Sequence, residues 1–234
     1  MTTVSHRPID MTDPMEVPSE ERLAAKLPDP LGNSVESLVE CCTVFTADTR
    51  FRIGHTLLRE QSPCVKDLMI KLSQPQPTVS YHLKALSKNG FVMDERKGKQ
   101  HFFHPSDRLR QFLFPLFANN EELSTVLPAE FEFPDLTQQE MQKHVATLRL
   151  IADEQRLRIG LKLGQTGEVC VGDICCLLRS KQPGVSHHIS LLHHNEFVFA
   201  RRDGRRTHYR MTRKFFALLT ALCGKGEGDE YDDA

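Results

Sequence analysis

The chain has 234 residues, 39% hydrophobic and 26% charged. That balance suits one large globular domain or two of ordinary size and excludes a mostly disordered chain. No apolar run approaches the ~18 residues that span a bilayer, and residues 1–23 lack the apolar core of a signal peptide, so a cytoplasmic protein with no membrane contact is expected. Seven cysteines in no regular pattern then read as thiols and not as a disulfide framework.

The net charge of −1 hides a segregation. Residues 50–106 carry ten Lys/Arg against four Asp/Glu, and residues 156–214 carry twelve against four. The compensating acid lies in the N-terminal arm, the middle connector and the tail Gly226–Asp233. Two basic modules framed by acidic segments point to a polyanion partner. A merely solvated lysine-rich face is the other reading, and charge does not separate the two.

The chain also repeats itself. At an offset of 106, residues 35–116 align with 141–222 without a gap, and 20 of the 55 positions between Arg50 and His104 are identical. Two copies are too few for a stacked solenoid, so each must be a small domain with its own core.

In chain order, the first copy opens on a helix with Val35, Leu38, Val39, Cys42 and Phe45 at helical spacing, matched later by Met141, Val145, Leu148 and Ile151. Asn33 with Glu36, and Thr137 with Glu140, fit the capping box. A second helix follows over Arg50–Arg59 and Arg156–Gln165. After a short Pro63-Cys64-Val65 stretch comes a helix with Val65, Leu68, Met69 and Leu72 on one face. The next starts near Pro77, tolerated in a first turn, and ends at Asn89-Gly90, with Val79, His82, Leu83 and Leu86 inward. Phe91–Arg96 and Gln100–His104 flank Lys97-Gly98-Lys99 as a β-hairpin. Phe197–Arg202 and Arg206–Met211 repeat it around Asp203-Gly204-Arg205. Final helices carry Leu109, Phe112, Leu113 and Leu116, and Phe215, Leu218, Leu219 and Leu222.

The expected fold is mostly α with small β-hairpins (α+β), as two tandem winged helix-turn-helix domains. The expected boundaries are a disordered acidic, Pro-containing arm over 1–32, domain one over 33–117, a linker over 118–136, domain two over 137–223 and a disordered acidic tail over 224–234.

The order of elements and several segments resemble the arsenic-repressor-type (ArsR) family of transcription regulators. These are Ala152–Ile159, Cys170–Ile174, Val185–Ile189, Arg202–Tyr209 and, in the first copy, Thr78–Leu86. The resemblance covers both repeats and leaves the tails and connector unexplained. It implies a sequence-specific, double-stranded-DNA-binding regulator, a repressor, located in the cytoplasm with the nucleoid. Family members of one winged-helix domain dimerise through their first and last helices. The resemblance therefore implies an intramolecular pseudo-dimer, with a homodimer also open.

A recognition helix enters the major groove with its outward face, which excludes the inward stripe. That leaves Gln76, Thr78, Ser80, Tyr81 and Lys84 in copy one, and Gln182, Ser186, His187 and Ser190 in copy two. His82 and His188 match a family position, but their stripe with Val79 and Leu83 gives them a buried structural role. Arg96, Lys97 and Lys99, and Arg201, Arg202, Arg205 and Arg206, suit phosphates or a minor groove.

In many family members, paired cysteines at the start of the third helix bind a thiophilic ion as thiolates. Cys170 matches the first position and Cys175 an accessory one, but the second principal position is Gly172. Its copy-one counterpart is Lys66, beside Cys64. No metal or cofactor is therefore expected. Cys42 and Cys175 read as core residues, and Cys170, Cys175 and Cys176 are the candidates should a thiol sensor exist. The family's other site, built from Asp, His and Glu on the last helix, has no counterpart in Leu109–Leu116 or Phe215–Leu222. His187, His188, His193 and His194 cluster, but on a helix positions 187 and 194 lie about 10 Å apart along the axis, too far to share one ion. They are read instead as making DNA binding pH-sensitive.

No phosphate loop, nucleophile elbow, HExxH or paired acid in an apolar setting is present, so no enzyme is expected. Two other readings stay open. One is a winged-helix interaction module without DNA binding, against which the two basic hairpins argue. The other is a thiol-based metal- or redox-responsive repressor.

Overall fold

Each helix predicted from periodicity forms, and its apolar stripe is what it buries. The computed structural model describes residues 35–60, 62–118 and 129–223. The arm over 1–32, the tail over 224–234, residues 119–128 of the linker and the expected Asn33 cap lie outside the described residues.

The first copy comprises α1 (Val35–Val44), α2 (Asp48–Arg59), α3 (Val65–Leu72), α4 (Gln76–Lys88), β1 (Val92–Lys97), β2 (Gln100–Pro105) and α5 (Asp107–Phe117). The second comprises α6 (Gln138–Ile151), α7 (Glu154–Thr166), β3 (Glu168–Cys170), α8 (Val171–Leu178), α9 (Gln182–His194), β4 (Val198–Asp203), β5 (Arg206–Met211) and α10 (Arg213–Cys223). Capping residues set several starts. Thr137 Oγ1 accepts from the Glu140 amide at 3.3 Å while Glu140 Oε2 accepts from the Thr137 amide at 2.8 Å, a reciprocal capping box. Asp153 and Ser106 cap α7 and α5 with single side-chain bonds, accepting from the Arg156 and Leu109 amides.

The hairpins pair antiparallel, Val92 opposite Pro105 through Lys97 opposite Gln100, and Val198 opposite Met211 through Asp203 opposite Arg206. The copies differ at the third strand. In copy two, β3 pairs with β5, with Cys170 opposite His208. In copy one, among the described residues, the short strand expected at Pro63-Cys64-Val65 is reduced to a Cys64–Phe102 bridge. Pro63 stands where copy two has Val169 and offers no N–H to a ladder.

α4 and α9 end alike. The Phe91 and Phe197 amides donate back to Leu86 and Leu192 carbonyls at 3.0 and 2.9 Å, a Schellman closure. The residue between is left-handed in both copies, Gly90 at φ +71° in one and Glu196 at φ +60° in the other.

The repeat alone suggests a separate core in each copy, but the two copies share one continuous apolar core that crosses their junction. Phe45 meets Phe91 edge-on at 4.8 Å, and Phe197 stacks on Phe215 at 4.6 Å. Across the junction α1 packs on α6 and α7, α2 on α6, and α5 on α10. Exchanging the copies maps this set of contacts onto itself, the pattern of an isologous interface. Arg158 Nη2 reaches Glu36 Oε1 at 2.9 Å, and Arg149 Nε donates to the Thr46 carbonyl at 3.0 Å.

The described end of the linker forms no helix or strand, yet it is docked. Phe131 and Phe133 pack edge-on against Phe114 and Phe117 at 5.0 and 5.4 Å. Beside them, His55 Nε2 meets the Pro134 carbonyl at 2.8 Å, and His144 stacks on Phe51 and lies 4.7 Å from Phe117. Burial is the first cause lowering the pKa of both imidazoles from the ordinary 6.5, and the His55 charge lowers His144 further.

Candidate nucleic-acid interface

α3–α4 and α8–α9 are the two helix-turn-helix units, and each turn passes through a left-handed residue, Ser73 at φ 51° or Arg179 at φ 50°. α4 buries Val79, Leu83 and Leu86, and α9 buries Val185, Ile189 and Leu192. The opposite faces are outward. Gln76, Ser80, Tyr81 and Lys84 are exposed, Tyr81 by 67%, and Thr78 is half-buried. In copy two Gln182, His187 and Ser190 are exposed and Ser186 is half-buried.

His82 and His188 are half-buried, each with a buried Nδ1 that has no hydrogen bond. Their settings differ. Burial, then the Arg50 charge, lowers the His82 pKa, whereas His188 Nδ1 lies 3.6 Å from Asp153 Oδ1. Ala47 stands where Asp153 would be in copy one.

The wings are exposed at Arg96, Lys97, Lys99, Arg201, Arg202, Arg205 and Arg206. Arg96 and Arg202 each donate Nε to the carbonyl of the glycine at the hairpin tip, Gly98 at 3.1 Å and Gly204 at 3.4 Å. Arg201 is engaged by Glu168 at 2.8 Å and Asp203 at 3.8 Å, and Lys97 by Glu95 at 3.0 Å. Among the described residues Arg202, Arg205 and Arg206 have no ion pair. Wing one also holds two acid–imidazole contacts, Asp94 with His101 at 3.1 Å and Glu95 with His104 at 3.2 Å.

A groove separates each outward helix from its wing, and its lining was legible only in part from sequence. In copy one Ser80, Lys84, Ser87, Lys88 and Asp94 line about 420 Å³. In copy two His187, Ser190, His193, His194 and Tyr209 line about 470 Å³. Ser87, Lys88, Asp94 and Tyr209 were not singled out. For Ser87 and Lys88 the signal is the shared face that positions 80, 84, 87 and 88 make on one helix, whereas Asp94 and Tyr209 reach the groove from the wing strands.

The thiols are dispersed. The Cys170 thiol donates to Asp173 Oδ2 at 3.0 Å, and this bond is the first cause holding the Asp173 carboxyl below its usual range. Cys42 is buried, Cys64 and Cys175 are half-buried and Cys176 is exposed. A Cβ on Gly172 would lie 3.7 Å from Cys170 Sγ. Among the described residues no group of three or more His, Cys, Asp or Glu could hold a metal ion.

In copy two the Arg156-x-Arg158-Ile159-Gly160 segment is structural, whereas Nε of its copy-one counterpart Arg50 is buried without a hydrogen bond. Arg156 donates to the Leu150 and Arg149 carbonyls, closing the end of α6, and Arg158 pairs with Glu154 at 2.7 Å.

These features define a tandem winged helix-turn-helix protein with two basic faces. The family model described as "Bacterial regulatory protein, arsR family" matches residues 49–94 and 153–198. The chain is 38% identical over 68 residues to the arsenical resistance operon repressor of Escherichia coli, covering 29% of this chain and 58% of the relative. It is 33% identical over 79 residues to an uncharacterized HTH-type transcriptional regulator of Methanocaldococcus jannaschii, covering 33% of this chain and 89% of the relative. It is 44% identical over 50 residues to the HTH-type transcriptional repressor SmtB of Mycobacterium tuberculosis, covering 21% and 37%. The chain belongs to the arsR family of regulatory proteins. It spans 58% and 53% of the length of the first two relatives, and no solved structure matches it. No helix among the described residues is long and apolar enough to cross a membrane.

Proposed function

We propose that the protein is a double-stranded-DNA-binding transcriptional repressor in which one chain supplies both halves of a family dimer. The observation that carries this reading is the pairing of two outward helix faces, each flanked by a basic wing, on copies whose junction has the isologous pattern. Gln76, Ser80, Tyr81 and Lys84 on α4, with Thr78 beside them, and Gln182, Ser186, His187 and Ser190 on α9 are the base- and phosphate-contacting set. Gln reads adenine bidentately, while Ser and Thr read loosely or hold phosphates. Arg96, Lys97 and Lys99, with Arg202, Arg205 and Arg206, hold the backbone, and Arg201 contributes less because its charge is already paired. Regulation and not catalysis is the assigned role, in the cytoplasm with the nucleoid.

Because α4 and α9 present different side chains, the operator has two unlike half-sites about one helical turn apart. Duplex binding titrated against salt tests the reading. Affinity falling steeply with salt, with a log–log slope of several units, is the expected result. A slope near zero would favour a protein-interaction module.

A further inference from the structure

The groove between α9 and its wing differs from its copy-one counterpart in the kind of cation it holds. Lys84 and Lys88 line the first groove, and lysine is cationic at any physiological pH. In the second, position 84 is replaced by Ser190 and position 88 by His194, and His187 and His193 join it. Imidazole is the side chain whose charge changes between pH 5 and 8. An acid also leaves the groove, since Asp94 in copy one is Ala200 in copy two.

A helix in the major groove with a wing toward the minor groove must straddle the phosphate strand between them. The groove joining helix and wing is where that strand passes. We propose that the α9–wing groove is a phosphodiester-binding subsite that becomes cationic by taking up protons on His187, His193 and His194, so that the second repeat grips DNA in a proton-coupled way while the first does not. This rests on the DNA-binding reading above.

Three observations support it. Among the described residues no carboxylate pairs with His187, His193 or His194, so an incoming phosphate is their counter-ion. His193 and His194 occupy the last turn of α9, where the helix dipole favours cations. Tyr209 and Ser190 add hydroxyl donors to the same groove.

Several charged groups on the neighbouring elements have partners of their own. Asp153 at the start of α7 is taken by the Arg156 amide and lies beside His188. Asp173 on α8 is taken by Cys170. On β4, Arg201 is paired with Glu168 and Asp203, and Arg202 donates to Gly204. His208 and Arg210 flank Tyr209 on β5, with Arg210 lying over Phe199. Arg179 and Lys181 precede α9, and Glu196 follows it. His188 therefore separates from the cluster: it faces Asp153 and does not line the groove.

The test measures duplex affinity of the full chain at about pH 8 and about pH 6 at fixed salt, against a variant carrying His187→Gln, His193→Gln and His194→Gln. All three positions are exposed, and circular dichroism at both pH values checks that the variant is folded. The wild type should gain roughly tenfold on acidification relative to the variant, the order expected for one or two added phosphate contacts. The two should bind alike at the higher pH. Because every other ionisable group is the same in both proteins, the difference isolates these three. A second variant, Lys84→Gln with Lys88→Gln, should lose affinity equally at both pH values. If wild type and triple variant bind DNA with the same pH dependence, the proton coupling is overturned and the DNA reading stands. If neither binds in a salt-dependent way at either pH, both fall together.

Discussion

The two repeats keep the same interior and diverge on the face turned outward. Positions that pack are retained, such as Ile53 and Ile159, Val79 and Val185, and Phe91 and Phe197, all at most 2% exposed. The outward face is less well kept: Gln76, Ser80 and Arg96 recur as Gln182, Ser186 and Arg202, but other outward positions differ. Tyr81 answers to His187, Lys84 to Ser190 and Asp94 to Ala200. Packing allows few solutions at close-packed density, whereas an outward face is set by what it binds. A duplicated fold with unlike outer faces is what a reader of two unlike half-sites requires.

The wings sharpen this contrast most. Wing two carries three arginines without an ion pair among the described residues, while wing one holds Lys97 against Glu95 and two acid–imidazole contacts. Arg202→Ala, Arg205→Ala and Arg206→Ala together should therefore weaken binding about a hundredfold and flatten the salt slope by two to three. Arg96→Ala, Lys97→Ala and Lys99→Ala should cost about tenfold and flatten it by one to two. Base preference should stay unchanged in both, since phosphate contacts position without specifying. Equal losses in a salt titration would remove the contrast.

The closest helix crossings come next. A Cβ on Gly160 would lie 2.8 Å from the Phe215 ring and 2.9 Å from Leu219, whereas at Gly54 the nearest atom is Phe45 Cε1 at 3.1 Å. Both Phe215 and Leu219 are fully buried and cannot swing aside. Gly160→Ala should cost about 1–3 kcal/mol of overpacking, less the helical gain of alanine over glycine. Gly54→Ala should lie within about 1 kcal/mol of neutral, because that gain offsets the milder crowding. Urea unfolding of both variants gives the comparison, and equal costs would mean that the α7–α10 contact is no tighter than its partner.

Much of this was legible in the sequence because it is periodic or repeated. The helices, hairpins and recognition faces each follow from spacing that recurs at an offset of 106. What was not legible arises from contacts distant in sequence. Phe131 and Phe133 sit in a short alternating segment with no helical or strand partner to announce them, and their role depends on Phe114 and Phe117. His55 and His144 carry no motif, and only the fold brings them to one aromatic junction. The reduction of copy one's short strand at Pro63-Cys64-Val65 to a single Cys64–Phe102 bridge among the described residues has its cause in Pro63. The repeat, which suggests a strand in both copies, does not announce it. The pairing of Arg201 with Glu168 joins residues 33 apart and could not be read from the wing.

The junction histidines give a stability test independent of DNA. Their folded-state pKa values are lowered from 6.5, chiefly by burial. The unfolded chain thus binds protons more readily, and stability is complete above pH 6.5. It is lost as the pH falls from there through the depressed folded-state values. His144 faces His55, Glu140 and Lys214, and His55 faces Arg59 and Asp135. The thermal midpoint should fall by several degrees on acidification, and His144→Gln should shrink that fall. An unchanged pH dependence in the variant would place the acid sensitivity elsewhere.

The smallest effect concerns the left-handed residue after each outward helix. Glu196→Gly should stabilise by about 0.5–1 kcal/mol, since glycine adopts φ > 0 without steric cost, and Gly90→Ala should cost a similar amount. Thermal melts reading the same sign for both would break the equivalence of the two turns.

The central claim, that one chain is a complete two-sided DNA reader, is tested most directly by light scattering on the protein–DNA complex together with a footprint of the bound duplex. The expected result is a protein mass of one 26.7 kDa chain on a non-palindromic site with two unlike halves about one helical turn apart. A stable species of twice that protein mass on a perfect palindrome would contradict it, and would mean that only one repeat of each chain reads DNA.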